Sequence, residues 1–248
     1  MSGSAGGGAG RVVVVGATGG VGAALARRLR ARGAEPFLVA RDAGRLAALS
    51  AELGGAPTAV ADAMDPAALA AAVAGAGSPL AGLAYCVGSI VLKPLKRVTD
   101  ADLLDAFRLN ALGAAVAVRA AADALTAGEG AVVLFSTVAA RSGFPSHVAI
   151  AAAKAAVEGL TVALAADLAP GVRVNCVAPS LTRTRIAEPL TRNPQMAEGI
   201  AKAHPIPRLG EPEDVAAVAD LLLSRESGWI TGQVIGVDGG RSTVRTRG

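Results

Sequence analysis

The sequence RVVVVGATGGVG (residues 11–22) decides the fold, because its four valines predict a short strand buried on both faces, as strands of parallel sheets are. The strand breaks directly into a glycine-rich turn, and an Ala/Leu/Arg-rich helix follows to about residue 32. In such a turn glycine lets the backbone approach a pyrophosphate, and the free N–H groups and dipole of the helix start bind its charge. The turn therefore favours dinucleotide binding, although a tight turn that needs glycine for steric reasons alone stays open. The residues predicted to line it are Gly16, Thr18, Gly20, Val21 and Gly22.

Strand-like and helix-like segments alternate along the rest of the chain, which predicts a parallel sheet covered by helices on both faces. Further strands are predicted at 36–40, 57–60, 81–87, 131–135, 172–177 and 233–237, and helices at 43–53, 66–76, 103–125, 145–160 and 212–223. The predicted fold class is therefore α/β, a Rossmann-type doubly wound sheet, in a single domain because no linker or repeat divides the chain. The predicted organisation is a disordered tail at 1–10, the domain at 11–240 with a mobile substrate lid at 181–207, and a loose basic tail at 241–248.

The composition argues against nucleic-acid and membrane partners. Of the 248 residues 52% are hydrophobic but only 2% are aromatic, and the net charge of +4 comes from scattered Arg and Lys. Scattered cations without aromatic side chains for stacking do not make a nucleic-acid surface. The uncharged run at 67–92 is interrupted by Gly and Pro, and residues 1–10 lack the pattern of a signal peptide. Cys86 and Cys176 are expected to be buried thiols in a reducing compartment, so the chain is predicted to be cytoplasmic.

The end of the second predicted strand indicates which dinucleotide is bound. An acidic residue there would meet the adenosine ribose of NAD(H), whereas an arginine pairs with the 2′-phosphate of NADP(H). Ala40 ends this strand and Arg41 follows, so NADP(H) is predicted and NAD(H) is less favoured; the alternative is that Arg41 lies on a solvated turn beside Asp42. Asp62, just after the third strand, is placed to reach an adenine amino group, or else it caps a turn.

Two predicted helices carry polar residues that need an explanation. In the helix that contains Lys154, Ser146 is expected to cap the start. His147, Ile150 and Lys154 then fall on one face, because seven residues are close to two helical turns. The long helix before it contains Asn110, which is unfavourable inside a helix and therefore needs a hydrogen-bonding role or marks a kink. If the protein catalyses a reaction, we expect the reaction above the face that carries Lys154.

These motifs together resemble the short-chain dehydrogenase/reductase family, and within it the single-domain 3-oxoacyl-acyl-carrier-protein reductases. The resemblance covers about residues 11–240 and rests on GATGGVG, LNALGAA around Asn110, the Lys154 block with KAAVEGL, VRVNCVAPS and ITGQVIGVDGG. It implies a small-molecule substrate and a homotetramer (or dimer) joined through the helices near 103–126 and 146–167.

The resemblance also implies how a nicotinamide cofactor is held. The glycines of the first turn would hold the diphosphate, Asp62 the adenine and Lys154 the nicotinamide ribose. Thr184, with the backbone after Pro179, would meet the carboxamide. The other positions implied at the cofactor are Gly88 and Thr182.

One departure from the family pattern bears directly on the chemistry. The family's Tyr-x-x-x-Lys motif would place its tyrosine at 150, where this chain has Ile150, and the usual serine falls on Thr137. The only tyrosine, Tyr85, is expected to be structural. Reduction of a ketone needs an acid as negative charge develops on oxygen, and isoleucine cannot supply a proton.

Three hypotheses accommodate this departure. In the first, hydride adds to an activated C=C bond, and His147 near a helix start donates as a neutral imidazole to the enolate oxygen; a capping-turn role is the alternative for His147. In the second, Thr137 and a lysine-linked water deliver the proton. In the third, the chain binds NADP(H) without turnover, as a sensor or as a partner in a mixed tetramer. The predicted catalytic residues are Asn110, Thr137, His147 and Lys154.

Overall fold

The computed structural model describes residues 10–245, and these contain seven strands that form one parallel sheet. The strands are β1 Arg11–Val15, β2 Glu35–Ala40, β3 Thr58–Val60, β4 Gly82–Tyr85, β5 Ala131–Phe135, β6 Arg173–Pro179 and β7 Val234–Val237. Their order across the sheet is β3-β2-β1-β4-β5-β6-β7, so the chain reverses direction of winding between β1 and β4. Doubly wound sheets bind ligands at the carboxyl ends of the strands at such a point. The predicted doubly wound α/β fold is confirmed, while the predictions for residues 1–9 and 246–248 lie outside the described residues.

Helices cover both faces of the sheet. They are α1 Gly20–Ala31, α2 Ala43–Glu52, α3 Pro66–Ala74, α4 Asp100–Phe107, α5 Gly113–Ala127, α6 Val148–Leu168, α7 Glu188–Thr191, α8 Pro194–Lys202 and α9 Pro212–Leu223. Val12 and Val14 pack with α1, α2 and α9, whereas Val13 and Val15 pack with α3, α5 and α6. Successive side chains of a strand point to opposite faces, so one run of valines contributes to both cores.

The long helix predicted at 103–125 is interrupted at Asn110. A π-helical turn at Arg108–Leu112 separates α4 from α5, and it contains Asn110. The Asn110 side chain donates from Nδ2 to Ala106 O at 2.8 Å. Asn110 therefore combines the two alternatives that the sequence left open, a break in the helix and a hydrogen bond within it.

The helix that carries Lys154 begins two residues later than the predicted cap. Ser146 adopts φ +66°, and its carbonyl accepts from Lys93 N, so it lies outside α6 and His147 occupies the N-cap position instead. The prediction of Ser146 as the cap is therefore wrong, because that backbone conformation points the chain away from the helix axis. Length and composition alone would allow α6 to cross a membrane, but it packs against α4 and β6 as a core helix of the domain.

The segment predicted as a lid contains regular structure of its own. It has a 3-10 turn at Arg185–Ala187, followed by α7 and α8. The chain after β7 packs against it: Arg241 Nη1 donates to Ala203 O at 2.9 Å, and the Arg241 guanidinium lies 5.1 Å from the centre of the Phe144 ring. The tail predicted from residue 241 therefore starts in a segment that is bonded to the domain.

Candidate active site

A cavity of about 400 Å³ opens at the carboxyl ends of β1, β4, β5 and β6. The predicted residues Val21, Gly88, Thr137, His147, Lys154, Pro179, Thr182 and Thr184 all line it, together with Ile150. A second, more open groove contains Thr18, Gly20 and Thr184. Thr184 lines both, so the groove and the cavity lie next to each other.

The glycine turn is packed so closely that side chains do not fit in it. Gly16 has φ +79°, and a Cβ on Gly22 would lie 2.4 Å from Gly16 O. A Cβ on Gly20 would lie 2.8 Å from the Thr184 methyl group. The N-cap residue of α1, Gly19, provides no side-chain cap, and the first turn carries no acidic residue. The free N–H groups of this helix start therefore fit a diphosphate.

The region after β2 contains one arginine that sequence reasoning did not select. Arg41 is exposed, and Asp42 caps α2 by accepting from Arg45 N at 3.0 Å. The Arg45 guanidinium reaches back to the carbonyl of Thr18 in the glycine turn. The capping aspartate and the helical position of Arg45 are local signals that would have placed Arg45 beside the turn. Asp62 is exposed after β3, and its carboxylate accepts from Met64 N at 2.9 Å.

Lys154 lies at the bottom of the cavity. It is 7% exposed, and its Nζ donates to Phe135 O at 2.8 Å. Burial lowers the pKa of Lys154 to about 8. A Cβ on Gly88 would lie 3.3 Å from Lys154 Nζ and 3.4 Å from Asn110 Oδ1, so glycine leaves space between these two groups. Asn110 Oδ1 is buried without a hydrogen-bond donor among the described residues.

The two hydroxyls that follow β5 have different environments. Ser136 Oγ donates to Glu158 Oε1 at 2.8 Å, and the other carboxylate oxygen of Glu158 accepts from Arg141 at 2.5 Å. Thr137 Oγ1 accepts from Ala139 N at 3.3 Å and faces the cavity. The Thr137 hydrogen is therefore available to a ligand, whereas that of Ser136 is used within the protein.

The geometry of His147 is unfavourable for its predicted role as a neutral donor. Its Nδ1 lies 2.7 Å from Pro145 O, and a carbonyl can only accept, so Nδ1 carries the hydrogen. In the neutral ring Nε2 is then an acceptor. An enolate or alkoxide oxygen is also an acceptor, so neutral His147 in this orientation cannot bind it.

The strand end at Tyr85 is structural, as expected. Its hydroxyl donates to Leu109 O at 2.7 Å beneath the π-helical turn, and the side chain is buried. Burial raises the pKa of this phenol, so it does not serve as an acid. Cys86 also lines the cavity, and burial raises the pKa of its thiol to about 12.

The side of the cavity formed by the segment after β6, where a lid was predicted, holds residues that the sequence analysis missed. Ser180 lines the cavity, and its Oγ lies 2.8 Å from Nε2 of the buried His204. Thr182 Oγ1 donates to Ser180 O at 3.0 Å, which fixes the loop after β6. Arg241 is the guanidinium that lines this cavity. No local sequence pattern joins these residues, since they come from three separate segments.

Comparisons with known proteins identify the family. A family model described as enoyl-(acyl carrier protein) reductase matches residues 16–242. Galactitol 2-dehydrogenase (L-tagatose-forming) of Cereibacter sphaeroides is 36% identical over 237 residues, which are 92% of each chain. The structure of a short-chain type dehydrogenase/reductase from Mycobacterium ulcerans has a TM-score of 0.88 at 31% identity, covering 96% of this chain and 90% of that chain.

A further structural match contains a cofactor. It is a gluconate 5-dehydrogenase from Burkholderia cenocepacia J2315 in complex with NADP and tartrate, with a TM-score of 0.88 at 27% identity and 96% coverage of both chains. These matches span nearly the whole described domain and are not limited to one motif. The chain therefore belongs to the short-chain dehydrogenase/reductase family of oxidoreductases.

Proposed function

We propose that this oxidoreductase uses NADP(H) to reduce a carbonyl group, or the C=C bond of a conjugated enone or enoyl substrate, with an atypical proton donor. The observation that carries the proposal is the buried amine of Lys154, which faces the cavity and is bonded to a backbone carbonyl rather than to a carboxylate. A buried cation without a carboxylate partner suits a ligand that brings its own oxygen acceptors, such as ribose hydroxyls. When bound, the reduced nicotinamide supplies the hydride.

The charged groups beside the glycine turn support NADP(H) over NAD(H). Asp42 Oδ1 caps α2 by accepting from Arg45 N at 3.0 Å. Arg41 is exposed next to it, and Arg45 extends over the turn to Thr18 O. The Arg45 guanidinium at this position, with Arg41 directly before the cap of α2, suits a 2′-phosphate.

The residues around the substrate oxygen differ in whether they supply a hydrogen bond, a positive charge or neither. Thr137 offers a hydroxyl hydrogen to the substrate oxygen, and Lys154 provides positive charge below it. Asn110 lies behind Lys154 and fixes the π-helical turn. Ile150 contributes an apolar contact and no proton, so protonation needs another group.

The remaining cavity surface supports an apolar substrate. Its apolar lining includes Ile90, Leu92, Phe144, Ile186, Leu190 and Ile200. Such walls favour a ketone or enone that carries an alkyl chain or a ring. The guanidinium of Arg241 at the same cavity accommodates a negative group on that substrate.

The cofactor proposal is tested by titration with NADPH and NADH, followed through the emission of the reduced nicotinamide. We expect NADPH to bind at least about tenfold more tightly, and the double variant Arg41→Ala/Arg45→Ala to lose that preference while NADH affinity stays unchanged. Arg30→Ala removes an exposed cation from the distal half of α1 and serves as the matched control. Equal affinities for the two dinucleotides in the native chain would contradict the proposal.

Turnover is tested by NADPH oxidation with two probes, the ketone methyl benzoylformate and the enone 2-cyclohexen-1-one. Oxidation with the first indicates carbonyl reduction. With the second, the product identifies the bond reduced: cyclohexanone indicates C=C reduction and 2-cyclohexen-1-ol indicates carbonyl reduction. Tight NADPH binding without oxidation across a broad panel of both classes would instead identify the chain as a silent NADP(H)-binding protein.

For the assembly we propose a homotetramer, with a homodimer as the alternative, in the cytoplasm. Exposed apolar side chains on α4 and α6, Leu104, Phe107 and Val162, support it, as does the fully exposed Trp229 before β7. Size-exclusion chromatography with light scattering should give four times the chain mass of 24.3 kDa. Phe107→Glu should dissociate the assembly, and a monomeric native chain would contradict the proposal.

A further inference from the structure

The lid side of the cavity contains a hydrogen-bonded serine–histidine pair. Ser180 directly follows the end of β6 and lines the cavity, while His204 lies behind it and is only 4% exposed. Ser180 Oγ and His204 Nε2 are 2.8 Å apart. The pair therefore connects the cavity to a buried titratable group that the proposed function has not used.

The second ring nitrogen of His204 fixes the direction of hydrogen bonding in the pair. His204 Nδ1 lies 2.8 Å from Ile200 O, so Nδ1 carries a hydrogen. In the neutral ring Nε2 then accepts the hydrogen of Ser180. In the imidazolium form Nε2 donates to Ser180 Oγ instead, and the Ser180 hydroxyl hydrogen is free to point into the cavity.

We propose that Ser180 and His204 together donate the proton of the reduction, in place of the acid that is missing at position 150. The inference rests on the proposed function. As hydride from the cofactor reaches the carbonyl carbon, the C=O π pair moves onto oxygen, and that oxygen takes the proton of Ser180 Oγ. Ser180 Oγ takes the proton of His204 Nε2, which leaves a neutral imidazole that solvent protonates again. Ser180 is the catalytic residue in this step, and His204 acts through it.

His204 lies at the end of a helix and near a carboxylate. It follows the C-terminal end of α8, where the last carbonyls carry partial negative charge, and it caps that end through Ile200 O. Asp238 lies on the segment that passes His204, since a Cβ on the adjacent Gly239 would be 3.6 Å from His204 Cβ. Burial alone would raise the pKa of Asp238, but hydrogen bonds from Ser242 and Gly240 and the charge of His204 hold it below its usual value.

Two other charged side chains approach this region. Arg241 comes from the same segment as Asp238 and donates to Ala203 O, next to His204. Lys202 is paired with Glu198 on the exposed side of α8 at 2.7 Å. The charged groups near His204 are therefore the Asp238 carboxylate and the Arg241 guanidinium, both from the chain after β7.

Two other polar groups of the cavity, the Thr137 hydroxyl and the His147 ring, lack a comparable proton supply. The Thr137 hydroxyl has only the Ala139 N–H as a bonded neighbour, and an N–H donor cannot return a proton to it. Neutral His147 presents an acceptor nitrogen to the cavity. Ser180 differs because a titratable ring is bonded directly to its oxygen.

Kinetics with methyl benzoylformate and NADPH test the pair. Ser180→Ala and His204→Gln should each lower kcat about 10²-fold with KM changed less than threefold. Glutamine retains a hydrogen bond to Ser180 but transfers no proton, and Ser180→Thr, which keeps the hydroxyl, should retain most of kcat. The native kcat should fall with rising pH as His204 loses its proton, and His204→Gln should remove this limb of the profile.

A control variant distinguishes proton donation by the Ser180–His204 pair from a purely structural role of the pair in holding the lid. Thr161→Val removes a buried hydroxyl that bonds Val157 O away from the cavity, so it should lower stability and leave kcat unchanged. A pair that only fastens the lid would raise KM in Ser180→Ala and leave kcat and its pH profile unchanged. That result would overturn the inference.

A measurement without turnover distinguishes failure of this inference from failure of the proposed function. The chain has two histidines, so ¹⁵N labelling of histidine gives two sets of ring signals, in the presence or absence of NADPH. We expect His204 to show an Nε2–H that exchanges slowly in the native chain and faster in Ser180→Ala, because Ser180 Oγ lies 2.8 Å from Nε2. A His204 ring that stays neutral at every pH at which the protein is folded would overturn the inference, whatever the activity assays give.

Discussion

The two histidines of this chain are tethered in the same way and differ in their surroundings. In both, Nδ1 lies within 2.8 Å of a nearby backbone carbonyl, Pro145 O for His147 and Ile200 O for His204. His147 occupies the N-cap position of α6, whereas His204 follows the C-terminal end of α8. His147 therefore lies at the positive end of the α6 dipole, and His204 lies at the negative end of the α8 dipole.

The spacing of a histidine along a helix can therefore mark it as a candidate proton donor, but it does not determine which ring nitrogen carries the hydrogen. His147 attracts interest because it lies seven residues before Lys154, yet its tether leaves an acceptor toward the cavity. His204 has no such spacing, but its Nε2, the nitrogen not bonded to Ile200 O, is hydrogen-bonded to the Ser180 hydroxyl at the cavity. The cavity thus has two sides. The α6 side is formed by His147, Ile150 and Lys154, and the lid side is formed by Ser180, His204 and Arg241.

The largest expected effect is on the α6 side, at Lys154. Lys154→Met should lower kcat/KM by at least about 10³-fold, because it removes the cation from the cofactor ribose and from the reacting oxygen together. The same variant should be more stable at pH 7. The difference between a folded pKa of about 8 and the ordinary 10.5 corresponds to about 3 kcal/mol of destabilisation by the buried charge.

The pH dependence of that stability difference follows from the sign of the pKa shift. Below pH 8 the folded and unfolded chains both carry the proton, and the cost of the buried charge is fully present. As the pH rises above 8 the folded state loses the proton first, so the native chain gains stability relative to Lys154→Met. Urea unfolding of both proteins at pH 7, 8 and 9 measures this, and a constant difference across the three would contradict it.

The next largest effect restores an acid on the α6 side. Ile150→Tyr should raise ketone reduction about 10²-fold, because a phenol beside the Lys154 amine would donate directly to the substrate oxygen. Ile150→Phe matches the added size without the hydroxyl and should give no increase. In the tyrosine variant, Ser180→Ala should cost less than about threefold, since the lid side would no longer supply the proton. A full loss from Ser180→Ala in that background would show that the two sides do not substitute for each other.

The parts of this molecule that the sequence predicted are those fixed by local pattern. Val12 to Val15 and the turn at Gly16 place β1 and the start of α1, because strand burial and steric exclusion of Cβ act over a few residues. The helical face of Ile150 and Lys154 follows from the period of the helix. Cap and break positions were less predictable: Ser146 lies outside α6, and a π-helical turn divides the helix predicted around Asn110.

The lid side was not predictable because its contacts are made by the tertiary fold. Ser180 and His204 are separated by 24 residues and meet only because α7 and α8 return the chain to the end of β6. Arg241 reaches the Phe144 ring from beyond β7. Neither contact follows from a helix or strand repeat that can be recognised in the sequence.

A smaller effect is expected from Arg241, and it sharpens the role of the lid side in substrate choice. Arg241→Gln should raise KM about tenfold for benzoylformate and less than twofold for its uncharged methyl ester, because only the carboxylate gains from the guanidinium. Arg241→Lys keeps the charge and should retain part of the preference. Equal effects on the acid and the ester would mean that Arg241 acts through its contacts with Ala203 and Phe144 alone.

The smallest effect is expected from His147. His147→Ala should change kcat less than about threefold. The neutral ring donates its Nδ1 hydrogen to Pro145 O, so Nε2 is an acceptor and cannot bind a reacting oxygen that is itself an acceptor. KM can rise modestly, since the ring also packs against Phe144 with 5.5 Å between ring centres. Steady-state kinetics with the ketone and the enone probes measure both constants. A tenfold loss of kcat with the enone alone would show that the ring turns and donates to an enolate, and the contrast between the two histidines would then hold for ketones only.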